Sequence, residues 1–130
     1  EQLVRAVYEG VALNTRWLLG HLERFVGRRL EPIRAIGGGA RSAAWCQIYA
    51  DVLGRPIHRV ARPRLANARG AALIAGVALG DLGFDAIPER VPVDARFEPR
   101  AQHRAVYQQL FESFLELHKG SRGVYHRLNG

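Results

Sequence analysis

The chain contains no methionine, one cysteine and one lysine, and each shortage carries a consequence. A chain without methionine lacks a translation start, so we expect a piece of a longer protein or a processed product. The lone Cys46 excludes an internal disulfide and suits a reducing compartment, which favours a cytoplasmic protein. No apolar run approaches the ~20 residues of a membrane-spanning helix, and the first residues do not form a signal peptide.

Basic residues are plentiful, but they are almost all arginine. Lys119 is the single lysine among 19 basic residues, and the formal net charge is +7. The bias towards arginine indicates genome composition more than selection for phosphate contacts. The arginines are scattered, with short clusters only at 28–29 and 62–69, and no basic stripe is interleaved with aromatic residues. Specific nucleic-acid binding is therefore the least favoured of the functions that remain open.

Length and periodicity predict one small α/β domain. The 130 residues are 48% apolar, which is enough for a core. Hydrophobic spacing and the positions of glycine and proline predict helices at 2–26, 42–53, 67–79 and 100–119, strands at 33–36 and 57–60, and an irregular stretch at 81–98. The connection between the two strands is about 20 residues long and contains a helix, which predicts parallel strands joined by a right-handed crossover.

The first and last helices each have an apolar stripe that we expect to face the core. The stripe of the first helix consists of Leu3, Val7, Val11, Leu18, Leu22 and Phe25, and that of the last helix of Val106, Leu110, Phe114 and Leu117. Two parallel strands do not make a stable sheet alone, and one sheet edge has no predicted partner in the chain. This is a second argument for a piece of a larger protein, and it predicts self-association of the isolated chain.

The most informative segment is the junction at 33–42, where a strand, three glycines and a helix start follow one another. The glycines are Gly37, Gly38 and Gly39, and Ser42 opens the helix. Such a turn directs free backbone N–H groups and the positive end of the helix dipole at one point, and glycine lets an anion approach closely. The alternative is a tight strand-to-helix turn without a ligand.

Two common phosphate motifs do not match this junction. A Walker A loop needs Gly-Lys-Ser/Thr at the helix start, where this chain has Ala40-Arg41-Ser42. A dinucleotide fingerprint that begins at Gly37 and Gly39 needs a third glycine where Ser42 stands.

The residues after the glycines resemble a different family, the FGGY-type carbohydrate kinases. The matching signature runs from Gly37 through Ala40-Arg41-Ser42, Trp45, Gln47, Ala50-Asp51 and Gly54 to Pro56. Three further segments agree in order and spacing with this family, and the last of them resembles the ending of its xylulokinase-like members. They are 5–12, the Ala68-Arg69-Gly70-Ala71-Ala72 run with its continuation to Gly76, and the ending 107–129.

The resemblance implies a fold, a reaction and a set of binding residues. Residues 1–130 correspond to the C-terminal, nucleotide-side portion of the kinase, the later half of a ribonuclease-H-like, actin-like ATPase domain. The implied reaction transfers the γ-phosphate of ATP, with Mg²⁺, to a hydroxyl of a sugar, most similarly a pentulose. Gly37, Gly38, Gly39, Ser42 and Gly70 would line the nucleotide, whereas the sugar would bind mainly to an N-terminal region outside this chain.

Each candidate residue also has a structural interpretation. Ser42 favours the helix N-cap, and for Arg41 a solvated arginine at the helix start is favoured over a phosphate ligand. Trp45 and Tyr49 lie four residues apart and are typical of packing. The alanines near Gly70 favour close helix–sheet packing, and Leu65 to Ala68 lack the acidic residue that the family often has there.

No residue of this chain is predicted to be catalytic or to bind metal. A sugar kinase needs a carboxylate base, but Asp51 falls near the end of its helix, and Glu9 lies inside the first helix. Asp81, Asp85 and Asp94 fall in the irregular stretch, and the five histidines lack metal-ligand spacing. The isolated chain is therefore expected to be inactive. A catalytically silent interaction module of the same fold remains the alternative, and the sequence does not specify the sugar.

Overall fold

The computed structural model describes residues 2–129, in which four helices surround a three-stranded sheet. The helices are α1 (Gln2–Val26), α2 (Ala43–Leu53), α3 (Ala66–Ala78) and α4 (Arg104–Asn129), and the strands are β1 (Ile33–Ala35), β2 (Ile57–Val60) and β3 (Val93–Phe97). The predicted α/β class, helices and first two strands are confirmed, and outside the last helix each predicted boundary coincides with the observed one or differs by one residue. The last helix differs more, because it continues ten residues past Lys119 to Asn129.

The sheet has the order β1-β2-β3. Strands β1 and β2 are parallel, as predicted, with Ile33 opposite Ile57 and Ala35 opposite Arg59. Strand β3 pairs antiparallel with β2, and the register shifts between Arg59 and Val60. The expectation that 81–98 is wholly irregular is wrong, because its last part forms β3. The alternating burial of that strand, half-buried at Val93, Ala95 and Phe97, supports a strand with one packed face.

Helix α2 lies at the centre of the molecule and contributes to two core clusters. One face carries Cys46, Ala50 and Leu53, which pack with Leu19, Ala40 and Ile57. The other carries Ile48 and Val52, which pack with Ala12, Leu13 and Tyr107. Both flanks of α2 are therefore apolar, which explains why it contains no charged residue except the paired Asp51.

The predicted inner stripes of α1 and α4 are instead largely exposed in the part of the chain that the structure describes. In α1 the buried residues are Ala12, Leu13 and Leu19, whereas Leu3 is 85% and Phe25 is 89% exposed. In α4 Tyr107 is buried and Leu117 is 70% exposed. The prediction of the buried face was wrong because both helices carry apolar residues on two sides, and α2 covers only one of them.

Helix α3 extends from the sheet with no buried residue of its own. Ala71, Ala72 and Ala75 are exposed, so the close helix–sheet packing expected of them is not found among residues 2–129. No helix in that range is long and apolar enough to cross a membrane.

Candidate functional site: the glycine turn and its grooves

The glycine turn joins β1 to α2, and its first residue requires glycine. Gly37 has a φ of +84°, in the left-handed region that residues with a Cβ rarely adopt. Its N–H donates to the carbonyl oxygen of Pro63 at 2.8 Å. This bond ties the turn to the segment that follows β2, so the Gly37 N–H is already occupied and is not available to an anion.

The next residue offers both a free donor and free space. In the part of the chain described, no backbone or side-chain acceptor takes the N–H of Gly38, whereas its carbonyl accepts from Arg41 at 3.2 Å. A Cβ at Gly38 would meet no atom within 4 Å. Gly38 thus combines an N–H without an acceptor among the described residues with open space at its Cβ position.

Gly39 is required for a different reason, because it lies against an indole ring. A Cβ at Gly39 would be 2.3 Å from Cζ3 of Trp45, a distance that the ring cannot accommodate without moving. On its other side, Trp45 stacks on Tyr8 of α1 with ring centroids 4.8 Å apart and planes 8° from parallel. The predicted packing role of Trp45 and Tyr49 agrees with these contacts, since their rings are 5.8 Å apart.

Ser42 is the N-cap of α2. Its Oγ accepts a hydrogen bond from the N–H of Trp45 at 3.2 Å, and its backbone is extended, as at most N-caps. The structural interpretation of Ser42 is therefore satisfied by the protein alone. The cap also fixes the direction of the first turn of α2, next to Gly38.

A basic groove lies beside the turn and was not foreseen as part of the site. Its volume is about 390 Å³, and it is lined by Arg41, Arg62, Pro63, Arg64 and Leu65. Arg62 has a φ of +49°, which is uncommon for a residue with a side chain and often marks a functional segment. The arginine cluster at 62–69 was the only sequence signal for this groove, and only the fold places it against Arg41.

An apolar hollow adjoins the end of β1 and includes Gly70. It has a volume of about 280 Å³ and is lined mainly by aliphatic side chains, among them Ile36, Val60, Leu73 and Ile74. A Cβ at Gly70 would meet no atom within 4 Å. The structure therefore places four of the five predicted binding residues in one turn, at 37–42, and Gly70 at a hollow that shares Ile36 with the end of the same strand.

The acidic residues of α1 and α2 that the sequence singled out, Glu9 and Asp51, are engaged by other side chains. Asp51 is buried and held by Arg100, and Glu9 accepts from the hydroxyl of Tyr107 at 2.8 Å, so both are structural. Within residues 2–129 no three His, Cys, Asp or Glu side chains are grouped to hold a metal ion.

Residues 1–79 match the model of the C-terminal domain of the FGGY family of carbohydrate kinases. The chain belongs to that family.

Its relatives catalyse the phosphorylation of several different substrates, as their names state. The chain is 33% identical over 124 residues to the autoinducer-2 kinase of Klebsiella pneumoniae, covering 94% of this chain and 23% of the relative. It is 34% identical over 142 residues to the ribulokinase of Halalkalibacterium halodurans, covering 98% of this chain and 24% of the relative. It is 36% identical over 120 residues to the glycerol kinase of Citrifermentans bemidjiense, covering 91% of this chain and 22% of the relative.

Solved structures agree with the sequence comparison. The crystal structure of xylulose kinase from Rhodospirillum rubrum has a TM-score of 0.79 and 34% identity, covering 95% of this chain and 25% of that one. A ligand-bound xylulose kinase from Lactobacillus acidophilus has the same fold, with a TM-score of 0.78 at 24% identity. The predicted ribonuclease-H-like class is thus confirmed. The chain spans about a quarter of the length of the relatives it matches.

Proposed function

We propose that the protein containing this chain is an ATP-dependent carbohydrate kinase, and that residues 1–130 are part of its C-terminal, nucleotide-side domain. The observation that carries the proposal is the turn at Gly38, where a free N–H and open space meet at the start of α2. Relatives of the chain are named as kinases of a pentulose, of glycerol and of a signalling compound. The similarity to xylulose kinase favours a pentulose as the sugar.

The nucleotide would lie across the turn. Its phosphates would approach the Gly38 N–H, and guanidinium groups of Arg41, Arg62 and Arg64 can pair with phosphate oxygens from the adjoining groove. The adenine ring would enter the apolar hollow at Gly70. Gly37 and Gly39 would act by shaping the turn, and Ser42 by capping the helix next to it.

The rest of the machinery would come from elsewhere in the protein. A carboxylate base and the sugar-binding residues would lie outside this chain. Mg²⁺ would supply charge neutralisation for the transferring phosphoryl group, and residues 2–129 hold no group of three His, Cys, Asp or Glu side chains that could bind it without the nucleotide. Because the reaction consumes ATP, we place it in the cytoplasm.

The test is a coupled assay of ADP release by the complete gene product, with xylulose, ribulose, glycerol and no sugar as parallel reactions. Sugar-dependent ADP release from ATP and Mg²⁺ is the expected result. ADP binding without turnover on any sugar would favour the silent interaction module instead. Absence of both binding and turnover would overturn the nucleotide assignment.

A further inference from the structure

A second cavity lies at the opposite end of α2 from the glycine turn. Its volume is about 520 Å³, and its wall includes the last residues of α2, from Asp51 to Gly54, and the start of α4. The cleft wall begins at Asp51, eight residues after the start of α2, which is about 12 Å along the helix at the helical rise per residue. We call it the distal cleft, and its position separates it from the nucleotide groove.

Positive charge dominates the lining of the distal cleft. Four arginines reach its wall, namely Arg16, Arg29, Arg100 and Arg104, against a single carboxylate, that of Asp51. Arg100 is paired with Asp51, and Arg29 with Glu31. Neither Arg16 nor Arg104 forms an ion pair with any carboxylate of residues 2–129. Glu112 attracts Arg16 electrostatically without forming an ion pair with it. The cleft thus holds two guanidinium groups that no carboxylate of residues 2–129 contacts at ion-pair distance.

Arg16 is held in position by groups that leave its charge intact. Its Nη1 donates to the carbonyl oxygen of Tyr107 at 3.2 Å, and its Nη2 donates to Oε1 of Gln108. The guanidinium also lies over the ring of Phe111, with its Cζ 4.3 Å from the ring centroid. A cation that is already fixed loses little conformational freedom when it binds a ligand.

Arg104 adds a second donor from another element. It is the first residue of α4, a helix of 26 residues, and it lies on the cleft together with Gln108 one turn later. Side chains from α1 and α4 therefore converge on the same space from two directions. Guanidinium groups pair with phosphate or carboxylate oxygens through two parallel hydrogen bonds, a geometry that a chloride ion cannot use. Two guanidinium groups on one cleft favour an anion that carries more than one negative charge.

We propose that the distal cleft binds a small phosphorylated compound, a multiply charged anion held chiefly by Arg16 and Arg104. The cleft volume lies within the range of small-molecule sites. This site does not depend on the kinase activity proposed above, because it uses different residues at a different end of α2.

The test uses inorganic pyrophosphate as the probe and the complete gene product, by isothermal titration calorimetry at low ionic strength. The variant is Arg104→Gln, which removes an exposed side chain with no hydrogen bond in the described part of the chain. The control is Arg122→Gln, which removes the same charge from the same helix about 27 Å away. We expect Arg104→Gln to weaken pyrophosphate binding about tenfold and Arg122→Gln to leave it within twofold.

The glycine turn can bind pyrophosphate as well, so Gly38→Val is measured in parallel. A component of binding that Gly38→Val removes and Arg104→Gln does not change belongs to the nucleotide groove. If all binding behaves in that way, or if no binding occurs, the distal cleft is not an anion site. Equal weakening by Arg104→Gln and Arg122→Gln would also overturn the proposal, because it would reflect net charge alone. An unchanged melting temperature of each variant shows that the comparison is made between folded proteins.

Discussion

Arg100 covers the buried carboxylate of Asp51 with three hydrogen bonds. Its Nη2 and Nε donate to Oδ2 at 2.5 and 3.0 Å, and its backbone N–H donates to Oδ1 at 2.8 Å. Gln47 adds a fourth donor at 3.0 Å. The pKa of Asp51 lies below its usual value because these hydrogen bonds outweigh the burial that would raise it. The pair ties the end of α2 to the segment between β3 and α4.

Asp51→Asn should therefore destabilise the protein by about 3 kcal/mol, because an amide cannot accept from all four donors and Arg100 loses its partner. Asp94→Asn is the matched control, since Asp94 pairs with Arg59 at 2.7 Å but remains 39% exposed. That substitution should cost less than about 1 kcal/mol. Urea denaturation measures both, and similar losses for the two variants would contradict a structural role for Asp51.

The glycines of the turn should respond differently to valine. Gly38→Val fills the open space where phosphate would approach, so we expect a large rise in the KM for ATP with little change in stability or in the KM for the sugar. Gly39→Val forces the Trp45 ring to move and should lower stability as well as activity. Steady-state kinetics and thermal melts separate the two effects. Unchanged ATP kinetics in Gly38→Val would contradict the assignment of Gly38 to phosphate binding.

Ser42→Ala should lower stability by about 1 kcal/mol through loss of the cap to the Trp45 N–H. Ser113→Ala, an exposed change inside α4, is the control and should be neutral or slightly stabilising. The two free energies of unfolding are compared by urea denaturation. If Ser42→Ala changed the KM for ATP without any loss of stability, Ser42 would be a nucleotide ligand and not chiefly a cap.

Glu23 and Arg55 should make stability depend on acid pH. The hydrogen bonds from Arg55, followed by that from the Leu30 N–H, lower the pKa of Glu23 from 4.5 to about 2. A lowered pKa stabilises the folded state above the unfolded-state value, and this contribution is lost as the pH falls from about 4.5 towards 2. Glu23→Gln should cost about 2 kcal/mol at neutral pH and should flatten this part of the pH profile. A wild-type and a variant profile that stay parallel from pH 6 to 2.5 would contradict the assignment.

The isolated chain should self-associate. Its exposed apolar side chains include Val7, Leu18 and Phe25 on α1, at 63%, 58% and 89% exposure. An apolar surface of this kind marks an interface when it is continuous. Light scattering on the 130-residue chain should detect species larger than a monomer, and Phe25→Glu should reduce them. A monodisperse monomer would show that these side chains need no partner.

The local structure around the turn was predictable from the amino-acid sequence. Gly37, Ser42 and the apolar residues of α2 act through their own backbone preferences and through neighbours within a few positions, so a strand, a glycine turn and a capped helix followed from the residues in order. The long family signature identified the kinase family for the same reason, since its glycines, its tryptophan and its small residues have fixed spacings.

The contacts that those residues make could be read only from the fold. It placed Trp45 against Gly39, which assigns that glycine to packing, and it brought Arg62 and Arg64 beside Arg41 from across the sheet. The fold also shows which of the two apolar sides of α1 is buried. In addition, it shows that residues 93–97 form a strand paired with β2. Hydrophobic periodicity indicates that a helix has an apolar face. It does not indicate which element packs against that face, because the packing partner comes from residues far away in the chain.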